Sequence, residues 1–207
     1  MAPYIIYFDL VGVALFAATG ALSASRQQLD VMGFLFLATL TGIGGGTLRD
    51  LILDVPVFWV VNQTYVLACV ATALLVYFTA HLVESRYKIL LWLDAVALSV
   101  YGVFGAHKGL LITDAPVIAI FMGVVTGTVG GILRDVLTGQ PNAVTRKEIY
   151  ITAALVGAAV YVALVWLGCP NFYAAVAGSI GAFGVRSGAL IYGWTLPPYR
   201  GRPGRNV

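Results

Sequence analysis

The sequence predicts an all-α polytopic membrane protein with seven transmembrane helices, arranged as two inverted three-helix repeats followed by a seventh helix. Three observations support this prediction: an apolar composition, seven long apolar segments and a self-match at a constant offset. The 207 residues are 60% hydrophobic and 10% charged, with a mean hydropathy of +0.91, whereas soluble domains average about 45–50% apolar and about 25% charged residues. This composition excludes a soluble enzyme, a disordered tail and a nucleic-acid-binding module.

Seven apolar segments are bounded by charged or turn-forming residues, and each approaches the roughly 20 residues that one bilayer crossing needs. They lie near Ile5–Ala24, Val31–Asp54, Thr64–Val83, Ile89–Ala106, Pro116–Thr138, Ile149–Leu167 and Phe172–Trp194. The connections between them are short, so no soluble domain of useful size is left over. The first segment carries Asp9 and lacks a basic start, so we expect a retained helix rather than a cleaved signal peptide.

Lysine and arginine residues outside the segments are distributed unevenly between the two sides of the predicted membrane. One side holds Arg26, Arg86, Lys88, Arg146, Lys147, Arg200, Arg202 and Arg205. The other side holds Lys108 alone. Because cytoplasmic loops carry an excess of basic residues, the bias predicts a cytoplasmic C-terminus and an N-terminus outside.

The chain matches itself at an offset of 85 residues, and the match includes polar residues that chance would not align. Asp9 aligns with Asp94, Tyr65 with Tyr150, and the run Gly42 to Asp50 with the corresponding run 127–135. Each copy holds three segments, an odd number, so the second copy must cross the membrane in the opposite sense. We therefore expect a first repeat over residues 1–88, an inverted repeat over 89–168, a seventh helix over 169–196 and a basic tail over 197–207.

The aligned glycine runs are the strongest candidates for a functional feature. They contain Gly44, Gly45 and Gly46 in the second segment, and Gly130 and Gly131 in the fifth. Consecutive glycines weaken a helix and permit a break, and inverted repeats with broken helices are typical of transport proteins. We favour a break that lines a pore. Close helix packing through small-xxx-small faces is the alternative.

Ionisable residues inside the predicted segments are the second candidate feature, because such residues are costly in a bilayer and mark a pathway or a buried partner. They are Asp9, Arg49, Asp50, Asp94, Arg134, Asp135 and Arg186. Similar depth predicts ion pairs between Asp9 and Arg49 and between Asp94 and Arg134. Sequence neighbours do not face each other on a helix, so we expect Arg49 and Asp50 to have different partners. These pairs either border a pathway or only lock the fold.

Two further cations are harder to place from the sequence. Arg186, in the seventh segment, has no counterpart in the repeat, and it either snorkels or reaches a carboxylate such as Asp50 or Asp135. Lys108 follows His107 at the end of the fourth segment, between two glycines, where it either gates a pore mouth or simply snorkels.

The sequence contains no recognisable catalytic or metal-binding pattern. It lacks a Gly-x-Ser-x-Gly elbow, a Walker loop and a His-Glu-x-x-His motif, so we expect no enzymatic activity and no cofactor. Cys69 and Cys169 have neither a disulfide framework nor metal-ligand spacing around them.

At the doubled Gly-Gly-x-Leu-Arg-Asp motif, with the three-plus-three halves and the seventh span, the chain resembles bacterial members of the TRIC family of trimeric intracellular cation channels, also called glycine-transporter-domain membrane proteins. The resemblance covers about Tyr4 to Trp194. Val129 stands where the family has the leading glycine of the second run, and only Lys108 carries over from the family's Gln-Lys pair.

This resemblance implies a homotrimer in the bacterial inner membrane, with one pore inside each protomer beside kinked second and fifth helices. It also implies conduction of potassium and other monovalent cations, and it is compatible with a bound lipid. Two other classes stay open: a secondary transporter for a small amino acid such as glycine, and a membrane scaffold that transports nothing.

Overall fold

The computed structural model describes residues 3–82, 86–141 and 149–197, and the described chain is almost entirely helical. The helices are α1 (Pro3–Arg26), α2 (Val31–Ile52), α3 (Phe58–Val61), α4 (Thr64–Thr79), α5 (Arg86–Thr113), α6 (Pro116–Leu137), α7 (Ile151–Trp166) and α8 (Asn171–Tyr192), with a 3₁₀ turn at Ala80–Leu82. Within these ranges each of the seven predicted segments corresponds to one long helix, and α3 is an additional short one. Five of the basic residues that support the predicted orientation lie outside the described residues, namely Arg146, Lys147, Arg200, Arg202 and Arg205.

Most of the long helices have the length and apolar character of transmembrane helices. Within the described ranges five meet both requirements, namely α2, α4 with its 3₁₀ extension, α5, α6 and α8, while α7 is a shorter apolar helix of 16 residues. Helix α1 has 24 residues, about 36 Å of helix, which exceeds the roughly 30 Å hydrocarbon core. The predicted all-α membrane fold is confirmed.

Helix ends follow local sequence signals at several places. The Asp30 carboxylate accepts a hydrogen bond of 2.8 Å from the Gly33 N–H and caps the start of α2. Pro116 begins α6, a position where its missing N–H costs nothing. Gly193 follows α8 with a φ of 67°, a left-handed conformation that glycine adopts without steric cost.

Helix α5 extends further than the predicted segment Ile89–Ala106, and it ends at Thr113. The glycines that suggested an end are packing residues instead. A Cβ on Gly109 would lie 3.0 Å from the Ala119 Cα of α6, and one on Gly105 would lie 2.8 Å from the Met122 carbonyl oxygen. Lys108 therefore lies inside a helix and not in a loop.

The glycine runs do not interrupt their helices, so the predicted break at Gly44, Gly45, Gly46, Gly130 and Gly131 is wrong. The lost side chains instead allow α2 and α6 to cross closely. A Cβ on Gly45 would collide with the Thr126 carbonyl oxygen, and a Cβ on Gly130 would collide with the Thr41 carbonyl oxygen. These contacts are related by the 85-residue offset, and they support the packing alternative.

Helix α8, which lies outside the two repeats, packs against α5 and α7. A Cβ on Gly157 of α7 would lie 2.7 Å from the Ala182 Cβ, and a Cβ on Gly178 would lie 2.7 Å from the Gly157 carbonyl oxygen. Small residues thus bring the backbones together, as is usual where lipid surrounds a helix pair.

Candidate functional site

The intramembrane charges form two groups on either side of the α2–α6 crossing. The first cluster consists of Asp9, Arg49, Asp50, Tyr65 and Lys108, from α1, α2, α4 and α5. The second cluster consists of Asp94, Arg134, Asp135, Tyr150 and Arg186, from α5, α6, the start of α7 and α8. The first four members of the second cluster are those of the first displaced by 85 residues.

Asp50 is the centre of the first cluster and is fully buried. Its Oδ1 accepts hydrogen bonds of 2.8 Å from both Arg49 Nε and Lys108 Nζ. Its Oδ2 accepts one of 3.0 Å from the Phe58 N–H at the start of α3. One carboxylate therefore ties α2, α3 and α5 together, and two cations compensate its charge.

The predicted ion pair between Asp9 and Arg49 is absent among the described contacts. Asp9 Oδ2 accepts a hydrogen bond of 2.7 Å from the Tyr65 hydroxyl instead. The Arg49 guanidinium lies between two aromatic rings, 5.7 Å from the Phe58 centroid and 5.5 Å from the Phe104 centroid. These rings and Asp50 fix the guanidinium away from a direct bond to Asp9.

The predicted ion pair in the second cluster is present. Arg134 Nη1 lies 2.7 Å from Asp94 Oδ1 and also donates a hydrogen bond of 2.9 Å to the Thr19 hydroxyl of α1. Its Nε donates to Asp135 Oδ1 at 2.9 Å. Arg134 thus links its own repeat to the first helix of the other repeat.

The expectation that neighbouring Arg and Asp residues would have different partners is wrong in both repeats. Arg49 binds Asp50 and Arg134 binds Asp135 through the same pair of atoms. The arginine side chain is long enough to fold back on the next residue. In an environment with little water, pairing opposite charges outweighs the poor alignment of adjacent positions.

The two clusters differ at one pair of positions that are equivalent in the repeat. Lys108, which binds Asp50, aligns with Ser23 at the 85-residue offset. Ser23 lines a small cavity of about 20 Å³ beside Asp94, Arg134 and Asp135. The position that an ammonium group fills in the first cluster is thus open in the second, with room for about one water molecule.

Arg186 supplies the fourth charge of the second cluster from outside the repeats. It is 2% exposed and lines the same cavity as Asp94 and Asp135. Its Nη1 donates a hydrogen bond of 3.3 Å to the Ile149 carbonyl, and its guanidinium carbon lies 5.2 Å from the Tyr150 ring centroid. The sequence left two positions open for Arg186, at the membrane interface by snorkelling or beside a carboxylate, and the structure favours the position beside a carboxylate.

Each cluster therefore contains two acidic and two basic side chains, and the formal charges within each set cancel. Burial of a single charge costs several kcal/mol, and removing one partner of a buried pair is strongly destabilising. The clusters hold charge in the membrane interior without a net local charge of either sign.

Some contacting residues were not identified from the sequence. Tyr65 and Tyr150 align in the repeat, so the offset contained a signal for them. Thr19 and Phe104 also align, and each contacts the arginine of the other repeat. A hydroxyl and an aromatic ring share no side-chain chemistry, so only the structure identifies their common role.

Comparison with known proteins places the chain in a family. The family model described as "Glycine transporter" matches it twice, at residues 6–81 and 91–166. A crystal structure of the TRIC trimeric intracellular cation channel orthologue from Rhodobacter sphaeroides superimposes with a TM-score of 0.89 at 51% sequence identity, covering 92% of this chain and 99% of that one. The chain belongs to the TRIC family. The predicted resemblance is confirmed.

Two further similar proteins also cover most of the chain. The inner membrane protein YadS of Escherichia coli K12 is 36% identical over 201 residues, which cover 94% of this chain and 96% of YadS. A prokaryotic TRIC channel crystallised in 0.5 M KCl gives a TM-score of 0.87 at 26% identity, covering 95% of this chain and all of that one. TRIC proteins are channels and not enzymes, in agreement with the sequence prediction.

Proposed function

We propose that this protein is a monovalent-cation channel, permeable to potassium, with a pore inside each protomer of a homotrimer. The pore runs beside α2 and α6 and passes both charge clusters. Membership of the TRIC family and the similarity to the Rhodobacter sphaeroides cation-channel orthologue support this proposal. The proposal rests mainly on one observation: in this TRIC-family protein, the Lys108 ammonium binds the fully buried carboxylate of Asp50.

Unbonded polar atoms support a hydrated path at the first cluster. Among the described residues, Asp9 Oδ1, both terminal nitrogens of Arg49 and the Tyr101 hydroxyl are buried without a hydrogen-bond partner. Buried polar groups are normally bonded to protein or water. Water in such a path would accept hydrogen bonds from the Arg49 nitrogens and donate one to Asp9 Oδ1, which satisfies these atoms.

Lys108 acts as the gate in this proposal. Its Nζ lies 2.8 Å from Asp50 Oδ1 and its side chain is 14% exposed, so the ammonium occupies a position that a permeating cation would take. When Lys108 moves away, the carboxylate is free to accept a cation. The arginines, each bonded to an adjacent aspartate, stay neutralised and do not block the path.

We further propose that the protein lies in the bacterial inner membrane, with its N-terminus outside and its C-terminus in the cytoplasm. The predicted charge bias and the inner-membrane relative YadS support this. The proposed units are the repeats 1–88 and 89–168, the helix 169–196 and the tail 197–207. Reporter fusions at either terminus test the orientation.

A secondary transporter for glycine is the second candidate function. The observation that favours it is the family model's description together with the inverted repeat, which alternating-access transporters share. Such a protein would saturate with glycine and exchange it across the membrane.

Flux measurements on purified protein in proteoliposomes distinguish these functions, with protein-free vesicles as the control. A channel passes potassium down its gradient without any organic solute and excludes chloride. Saturable uptake and exchange of glycine, without potassium flux, would favour the transporter. The absence of both fluxes would contradict both proposals and favour a membrane scaffold.

A further inference from the structure

A larger cavity lies between α5, α7 and α8, and none of the residues of the two charge clusters lines it. Its volume is about 310 Å³. Val103 and Tyr161, which are 3% and 1% exposed, lie among its buried lining residues, and Ala175 and Val176 line it from α8. No aspartate, glutamate, lysine or arginine among the described residues lines it. The cavity is therefore a mainly apolar site between helices, in the size range of small-ligand pockets.

Hydrogen-bonding side chains are concentrated at one end of this cavity. His107 Nδ1 and the Tyr161 hydroxyl lie 2.7 Å apart, and the Tyr161 hydroxyl lies 3.4 Å from Asn171 Oδ1. Asn171 is the first residue of α8, so this end lies where α8 enters the membrane. The polar end of the cavity is thus at the level of the bilayer interface.

The remaining lining is apolar apart from Ser179 and extends along α8 as far as Ile180. The nine steps along the helix from Asn171 to Ile180 correspond to about 13.5 Å, less than half of the roughly 30 Å hydrocarbon core. The cavity therefore reaches from the interface into one leaflet only.

Exposed apolar residues of α8 border the mouth of the cavity. Phe172, Val176 and Ile180, at a spacing of four residues on α8, are 56%, 43% and 66% exposed. On a transmembrane helix such a stripe contacts acyl chains. A ligand thus enters sideways from the bilayer.

We propose that this cavity binds one acyl chain of a membrane glycerolipid, with the ester region of the lipid at His107, Tyr161 and Asn171. The uncharged lining suits an ester carbonyl, which accepts a hydrogen bond from the imidazole, hydroxyl or amide. The apolar depth suits the chain, and the lateral mouth lets the rest of the lipid remain in its leaflet. The proposal concerns binding and does not depend on whether the protein conducts ions.

Photolabelling in vesicles tests this proposal directly. The full-length protein is reconstituted in phosphatidylcholine vesicles containing a phosphatidylcholine with a diazirine in its acyl chain, and labelled sites are mapped by mass spectrometry. We expect label on Val103 and Tyr161, which surrounding bilayer lipid cannot reach because they are almost fully buried. Label on exposed Phe121, without label on either buried residue, would overturn the proposal.

A cavity-filling variant provides the matched control. Ala175→Trp fills the cavity, whereas Val117→Trp adds the same bulk at a position that is 77% exposed on α6. Each CH₂ group that loses its burial lowers affinity about fourfold, so Ala175→Trp should reduce labelling of Val103 and Tyr161 by about tenfold or more. Val117→Trp should leave it unchanged.

Two further results would overturn the proposal. One is equal labelling of the buried residues in Ala175→Trp and wild type. The other is efficient disulfide formation between Val176→Cys protomers, which would show that a second copy covers the mouth. If Ala175→Trp loses the helical circular dichroism of the wild type, Ala175→Phe replaces it.

Discussion

The two charge clusters have the same Asp, Arg, Asp and Tyr residues at the 85-residue offset, but they complete their charge balance differently. In the first cluster the fourth charge is Lys108, which belongs to the other repeat and binds Asp50 directly. In the second it is Arg186, from the helix outside the repeats, while Ser23 lines a small cavity in the place equivalent to Lys108. The two repeats thus share a common framework, and single-residue differences place an ammonium group in one cluster and a small cavity in the other.

Asp50→Asn is expected to have the largest effect in this comparison. It leaves two buried cations without their carboxylate, so it should lower the free energy of unfolding by about 3–5 kcal/mol. Asp135→Asn should cost less, since the Asp135 side chain is 14% exposed and that of Asp50 is fully buried. Thermal unfolding followed by circular dichroism measures both. Equal losses would show that the first cluster is not the more strongly desolvated one.

Gly45→Ala and Gly130→Ala test the symmetrical part of the comparison. Each new Cβ would meet a carbonyl oxygen of the facing helix, so each variant should lose about 1–3 kcal/mol of stability. Gly184→Ala is the control, because a Cβ there meets nothing within 4 Å. In thermal unfolding the two variants should show similarly lowered melting temperatures, and the control should melt at or slightly above the wild-type temperature. A loss in only one of them would contradict a symmetrical crossing.

Lys108→Gln tests the asymmetrical part. Removing the ammonium from Asp50 should raise potassium flux in proteoliposomes by about tenfold, equivalent to about 1.4 kcal/mol of gate stabilisation. Lys88→Gln, at an exposed position on the same helix, serves as the matched control and should not change the flux. An unchanged flux in Lys108→Gln would exclude Lys108 as the gate.

Tyr65→Phe is expected to have the smallest effect. It removes a 2.7 Å hydrogen bond to Asp9, and side-chain hydrogen bonds within membrane proteins contribute about 0.6 kcal/mol on average and up to about 1.7 kcal/mol. Tyr150→Phe should lose less, because the Tyr150 hydroxyl lies near Asp94 but makes no hydrogen bond of regular geometry there. Unfolding curves compare the two variants. A larger loss of stability in Tyr150→Phe than in Tyr65→Phe would contradict this prediction.

Much of the fold could be predicted because it depends on patterns that repeat along the chain. The apolar segments locate the long helices, and the offset identifies equivalent residues such as Asp94 and Asp9. The ion pair of Arg134 with Asp94 follows from their similar depth, which the segment boundaries determine.

The predictions that were wrong concern how far side chains reach and how closely helix backbones pack. Whether Gly45 breaks a helix or admits a neighbour depends on the position of Thr126, which a periodic pattern does not contain. The bond from Lys108 to Asp50 joins residues 58 positions apart and depends on α5 continuing past Gly105. Glycine serves both as a helix end and as a packing residue, so its presence could not decide that boundary.

Phe104 lies between the larger cavity and the first charge cluster. It lines the cavity that opens towards lipid, and it also lies over the Arg49 guanidinium at 5.5 Å. A displacement of this ring by whatever fills the cavity therefore changes how well Arg49 is shielded. If the cavity binds a lipid chain as we propose, membrane composition has a direct route to the electrostatics of the protein, without an intervening domain or a soluble messenger.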